Sequence, residues 1–179
     1  MLNEIVRFWR TMCVDFACKE WEQGNRKWAL RNIKLRMSRK LIFVSGLLMC
    51  ALNSLDSERI GLPSMDNIDF DRRGIPPLLS PLLKLSQMTP LQIIARSVIE
   101  YGDVKTGEKL FDAYDWFLGM LNDNNNREKL EKMAPKEAYG DPLFDKCREY
   151  SHQFQEAITD LFFNKDSRLK EFTVTYGVF

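Results

Sequence analysis

The 179-residue chain is poor in the residues that do most redox and metal chemistry. It has one histidine, His152, and four cysteines, Cys13, Cys18, Cys50 and Cys147. No two of these form a CxxC pair, so neither a zinc knuckle nor a dithiol redox centre is encoded. A single imidazole argues against a histidine-based metal site. The cysteines read as reduced and mostly buried thiols of a cytoplasmic protein. Long apolar runs are also missing. The longest, Leu41 to Leu52, falls far short of the roughly 20 residues that cross a bilayer. It is internal, so it is no secretory signal, and it reads as a buried helix with no membrane partner.

Catalytic signatures are absent as well. There is no GxSxG elbow, no P-loop and no dinucleotide fingerprint. Asp66, Asp69 and Asp71 lack the glycine and terminal glutamate of a calcium loop, with Arg72 and Arg73 following instead. They read as a solvated loop. Arg148 and His152 share a helical face, but three intervening residues are too few for the arginine–histidine pair of small helical ribonucleases. His152 is expected to be half-buried against aromatic neighbours. Asp112 and Asp115, three apart, read as a solvated helix face rather than a paired-acid site.

What is present describes a folded helical domain. Hydrophobic residues make up 45% of the chain, and a chain of this length buries roughly 70% of its unfolded surface. Apolar residues recur at helical spacing from Leu2 to Glu22, through Ile5, Trp9, Met12 and Phe16, with a break at Gly24 and Asn25. A second helix is expected from Arg26 to Leu52. It carries one stripe through Leu30, Ile33, Met37, Leu41, Val44 and Leu48, and another through Trp28, Leu35 and Ile42. Two apolar faces mark a central helix. Gly46 lies near the second stripe, where a missing side chain admits a close neighbour.

Residues 54–75 read as a long polar connection, and Pro76, Pro77 and Pro81 open a short leucine-rich helix. Thr89-Pro90-Leu91-Gln92 is a capping box with proline in the first turn. Asp103 and Asp141-Pro142 start two further long helices. Asn122 to Asn126 reads as a turn, followed by a short helix to about Met133. The alternation over Phe172 to Tyr176 suggests an extended tail. No set of adjacent strands and no fixed repeat appears. The expectation is one domain over 1–179: an all-α bundle of six to eight helices with a short extended C-terminal tail.

The net charge of +1 conceals an asymmetry. Residues 1–60 hold 11 basic and 6 acidic side chains, whereas residues 61–179 hold 15 and 19. The basic excess is densest in Arg26 to Lys40, RKWALRNIKLRMSRK, with seven basic residues and no acidic one. On a helix, Lys27, Arg31 and Lys34 line one edge between the apolar stripes, with Ser38 continuing it. Arg36, Arg39 and Lys40 lie on the other side. Guanidinium and ammonium groups on such edges can hold phosphates. They can equally snorkel past apolar neighbours to acids on adjacent helices. In the first helix, Asp15 is placed to form an ion pair with an arginine of the second.

Two stretches carry a family resemblance: Asn3 to Thr11, NEIVRFWRT, with Val14-Asp15, and Trp28 to Arg36, WALRNIKLR, with Ser38 to Leu41, SRKL. Together they resemble the helical region that follows the catalytic core in bacterial proteins of the nucleotidyltransferase superfamily. The resemblance covers about the first 50 residues. The family's catalysis uses a Gly-Ser turn followed by paired acids that hold magnesium for nucleotidyl transfer. This chain has no such turn and pair. The resemblance therefore implies an accessory helical domain that is non-catalytic on its own and has no cofactor. Mg-nucleotide would enter only with a separate catalytic domain. By the same resemblance, Arg7, Arg10, Lys34, Arg36, Arg39 and Lys40 are the residues to contact a nucleotide, an acceptor or a nucleotidyltransferase catalytic domain, and the basic edge adds Arg31 as a further phosphate-binding candidate. Two other functions stay open from the residues alone. One is an RNA-binding or RNA-processing helical module; the other is a protein-interaction scaffold whose basic helix is paired internally.

Overall fold

The computed structural model describes residues 1–22, 24, 26–59 and 79–176, with side chains described over 1–22, 24, 26–56 and 81–176. Among the described residues the architecture is all-α, with no strand. Helix α1 spans Leu2–Glu22. A continuous helical rod follows: α2 over Trp28–Lys34, a π-helical turn over Leu35–Arg39, and α3 over Lys40–Arg59. Then come α4 (Leu79–Ser86), α5 (Pro90–Tyr101), α6 (Val104–Asn122), α7 (Asn124–Lys132), α8 (Pro135–Ala138) and α9 (Pro142–Asp160). A second π-helical turn, Leu161–Lys165, leads to α10, Ser167–Tyr176.

The rod is the centre of the bundle because apolar residues occupy most of its circumference. Ile33, Met37, Leu41, Val44 and Leu48 are all buried, as are Leu47, Ala51 and Leu52. α3 packs against α1, α4, α5 and α10, while α2 meets α7, α8 and α9. The partnership of α6 with α9 forms the second half of the core. There Tyr114 lies against Phe154 at 5.8 Å between ring centroids, and Trp116 stacks on Tyr150 at 4.1 Å. Trp28, the first residue of α2, is 7% exposed and reaches Phe144 of α9 at 5.7 Å.

Most helix starts after residue 85 are set by the residue in front of them. Thr89 Oγ1 accepts from the backbone N–H of Gln92, and Gln92 Oε1 accepts from the Thr89 N–H, closing the expected capping box. Asp103 caps α6 through the Thr106 N–H, and Asp141 caps α9 through Leu143 and Phe144. Asp123 caps α7, accepting from Asn125 and Asn126. The asparagine tract is therefore not a turn. Asn124 to Asn126 form the first turn of α7, because one aspartate satisfies the free N–H groups that would otherwise favour a loop.

Two further expectations are corrected. The rod does not stop at Leu52. Leu55 is buried, and Asp56 makes a 2.7 Å ion pair with Arg96 of α5, so tertiary contacts carry the helix to Arg59. The part of the 54–75 connection from residue 60 lies outside the described residues, as do Asp66, Asp69, Asp71, Pro76 and Pro77. The C-terminal residues Phe172 to Tyr176 are helical rather than extended. Asp166 starts α10 by accepting from the Arg168 and Leu169 N–H groups, and burial of Leu169 and Thr173 on one face overrides the β-branched alternation. α8, a single turn, and α10 add to the six to eight helices expected.

α1 is the outlier of the bundle, since none of its residues is fully buried. Ile5, Trp9 and Phe16 pack partly against the core, while Trp21 is 90% exposed. Its docking depends on Gly46. A Cβ at that position would sit 3.2 Å from Ile5 Cγ2, closer than most side chains tolerate. Gly46→Leu is expected to displace α1 while leaving the α6–α9 core folded. The check is a change in Trp9 environment and faster proteolysis within residues 1–22, with the far-UV helix signal of the remainder retained.

The capping aspartates also set the response to acid. The Lys165 ammonium, with the Thr106 N–H behind it, holds the Asp103 carboxyl well below its ordinary range. Lys129 does the same for Asp141, helped by the N–H groups it caps. A carboxylate with a depressed folded-state pKa takes up its proton first in the unfolded chain. Its stabilisation is complete above the unfolded value of about 4 and is lost as pH falls through the folded value. Urea midpoints are expected to drop steadily below pH 4, and Asp103→Asn should flatten part of that slope.

Candidate basic face and adjoining pocket

The π-helical turn decides where the cations of the rod point. Its wider winding inserts an extra residue per turn, so positions on either side no longer share the edges of a straight α-helix. Arg39 thereby parts from Arg36 and Lys40, while Lys27, Arg31 and Lys34, which all precede the turn, divide between the neighbours on either side of their shared edge. On the α7 side, Lys27 makes a 2.8 Å ion pair with Glu131, which Arg127 also approaches at 3.5 Å. Lys34 is held below its usual pKa, first by burial and then by repulsion from Arg127, against attraction from Glu131. On the α1 side, Arg31 donates to the Lys19 carbonyl at 3.4 Å. Arg39 lies 4.0 Å from Asp15, whose carboxyl is held down first by a 2.7 Å bond from Lys19. The expected ion pair between Asp15 and the second helix is present.

On the α9 side the arrangement differs. Arg36 Nε donates to Asn32 Oδ1 at 2.8 Å. One turn further on, Lys40 Nζ donates to Gln155 Oε1. Both acceptors are neutral amides. The hydrogen bonds fix the two cations in place without cancelling their charge. Burial pushes the Lys40 ammonium below the usual lysine range, and the nearby Arg36 charge pushes it further in the same direction. Arg36 also borders a shallow depression shared with Asp145, Arg148, Glu149 and His152.

Arg7 and Arg10 do not join this group. Both are exposed on α1, and Arg7 bonds Glu4 on its own helix at 3.0 Å. Of the seven residues singled out in the sequence, the structure brings Arg36 and Lys40 together on one face. It sends Arg31 and Arg39 to α1 and Lys34 to α7.

Beside Lys40 a pocket of about 400 Å³ opens between α1, α3, α9, the second π-helical turn and α10. Phe43, Val44, Leu47, Ile158 and Phe162 form its interior, while Trp9, Lys40, Gln155 and Thr159 occupy its rim. Trp9 stacks on Phe43 with centroids 4.9 Å apart. The sequence pattern marks Trp9 and Val44 as core positions, but not the space between them. Gln155 carries no signal in the sequence at all, because its role comes only from α9 crossing the rod at Lys40.

His152 is not half-buried. Its side chain is 75% exposed and lies 3.1 Å from Glu156, since its face of α9 is turned away from the aromatic core. Cysteine burial is divided: Cys50 and Cys147 are buried, Cys13 is partly covered, and Cys18 is exposed. No group of three or more His, Cys, Asp or Glu residues able to hold a metal occurs among the described residues. Nor is any described helix long and apolar enough to cross a membrane.

Comparison with known proteins gives no match: no family model, no curated protein and no solved structure corresponds to this chain.

The thiols offer a direct check on this geometry. Burial pushes the Cys147 thiol up to about 12, where almost no thiolate exists at neutral pH. Burial also raises Cys50. In the native protein, iodoacetamide is expected to modify Cys18 first, and Cys50 and Cys147 only after denaturation, as read by peptide mass mapping.

Proposed function

We propose that this chain is a helical accessory domain of nucleotidyltransferase type, non-catalytic on its own, that offers the cations of its basic rod to a phosphate-bearing ligand. The observation that carries the reading is the pair Arg36 and Lys40, each anchored by a neutral amide oxygen and both on the side of the rod facing α9. Two positioned cations whose charges are not cancelled by a bonded carboxylate form a prepared anion site. A phosphate gains charge-assisted hydrogen bonds there with little side-chain ordering left to do. The resemblance of residues 3–11 and 28–41 to the region behind a nucleotidyltransferase core supplies the family context. In that context Mg-nucleotide chemistry belongs to a separate catalytic domain, and the setting is the cytoplasm.

A second reading, an interaction scaffold with the basic helix paired internally, draws on Lys27–Glu131 and Arg39–Asp15. Those pairs use one end of the rod and its α1 side, and they leave Arg36 and Lys40 outside. An RNA-binding module would spread its contacts over many cations and show a steep salt dependence.

The test is calorimetric titration with tripolyphosphate at low ionic strength. Arg36→Gln with Lys40→Met is expected to weaken binding at least about tenfold, the loss of two charge-assisted contacts. Lys132→Ala, on the exposed face of α7, should leave it unchanged. Equal affinity in the double variant and the parent would overturn the proposal. Tight RNA binding that collapses with salt would favour the RNA-binding module instead.

A further inference from the structure

We infer that the pocket beside Lys40 is a binding site for an aliphatic amphiphile: a chain that fills the apolar interior, with a single anionic head group at Lys40. This rests on the reading above for the phosphate head, and goes beyond it in naming the rest of the ligand.

The size suits such a ligand. About 400 Å³ lies within the range of small-molecule sites. The interior surfaces are side chains of Phe43, Val44, Leu47, Ile158 and Phe162, which gain by excluding water. The polar side chains are few: Lys40, Gln155 and Thr159 at the edge and the buried Thr173, and most are already engaged. The Thr159 hydroxyl donates to the Gln155 carbonyl at 3.0 Å and accepts from the Gln155 side-chain amide at 3.1 Å. The Thr173 hydroxyl donates to the Leu169 carbonyl at 2.7 Å. The Gln155 side-chain oxygen accepts from Lys40.

Lys40 is the exception, because an ammonium has three donors and Gln155 takes one. The pocket therefore offers one strong, charged donor set at its mouth and apolar walls behind it. A nucleobase placed inside would bring several donors and acceptors that find no partner, and each would lose its water. A hydrocarbon chain has none to lose. Charge complementarity sets the head group, and the satisfied rim excludes a polar body.

Arg36 extends the cationic end away from the apolar interior, toward the depression it shares with α9. A head group with more than one anionic oxygen can thus meet Lys40 first and Arg36 behind it. Lys40 lines the pocket itself, and Arg36, one turn before it on the rod, lines the neighbouring depression.

Titration of the intact chain with butyl, hexyl, octyl and decyl phosphate, below their critical micelle concentrations, tests the inference, with inorganic phosphate and AMP alongside. Affinity is expected to rise about threefold to fourfold per added methylene while the chain is being buried. AMP should bind no better than inorganic phosphate. Thr159→Trp narrows the mouth from an exposed position, so it should abolish the chain-length dependence and spare inorganic phosphate. Lys40→Met should weaken decyl phosphate while leaving decanol binding unaltered. If phosphate binds but longer chains add nothing, the inference fails and the anion-binding reading stands. If decanoate and decanol bind in the pocket while no phosphate does, the phosphate reading fails and the apolar site remains. If AMP binds as tightly as decyl phosphate and Thr159→Trp changes neither, a nucleotide site replaces the one inferred.

Discussion

Burial of the rod on nearly all sides is the constraint from which the other arrangements follow. A helix hydrophobic around most of its circumference cannot lie on a surface; it must be surrounded. α1, α4, α5 and α10 supply that cover for its second half, and α7, α8 and α9 for its first. The basic residues of the same rod are then squeezed into the seams between neighbours. Each cation meets whatever its seam presents: a carboxylate beside α7, Asp15 and a carbonyl beside α1, and a neutral glutamine beside α9. The chemistry of the face beside α9 is thus a by-product of packing geometry as much as of charge density.

The same constraint explains the pocket. Three elements of different length converge where α3 passes α9 and α10, and α1 is a peripheral helix that buries no residue completely. Close packing requires complementary side chains at every crossing. Gly46 lets α1 approach through Ile5, but one turn further along α1 Trp9 leans onto Phe43 and leaves the volume beyond it unfilled. A gap lined by aromatic and aliphatic side chains, with a lysine at its edge, results from docking one weakly buried helix against a strongly buried one.

Much of this was legible in the sequence. The limits of α1, the capping box at Thr89, the starts at Asp103 and Asp141 and the central role of the second helix all follow from local signals that the structure repeats. Periodicity also placed Gly46 correctly. What could not be read depended on partners far along the chain. Extension of α3 to Arg59 needs Arg96 of α5. The helical state of Phe172 to Tyr176 needs burial of Leu169 and Thr173. The cations group differently for two reasons: the winding widens at Leu35–Arg39, which parts Arg39 from Arg36 and Lys40, and the edge of Lys27, Arg31 and Lys34 is shared between α1 and α7. Gln155 was invisible because nothing on its own helix distinguishes it.

That wider turn has a consequence for how the segment can vary. Side chains of α2 address α7 and α8, and those of α3 address α1 and α5, from a single unbroken strut with one step in its phase. Substitutions along the strut alter one contact at a time. Adding a residue to Leu35–Arg39, beyond the one the wide turn already absorbs, would turn all of α2 by about 100° relative to α3, the angle of one residue in a helix. Trp28 would then leave Phe144, and every seam on that half would be broken at once. The stretch is therefore permissive to exchange of residue type, and to loss of the one residue its wide turn absorbs, but intolerant of a further insertion.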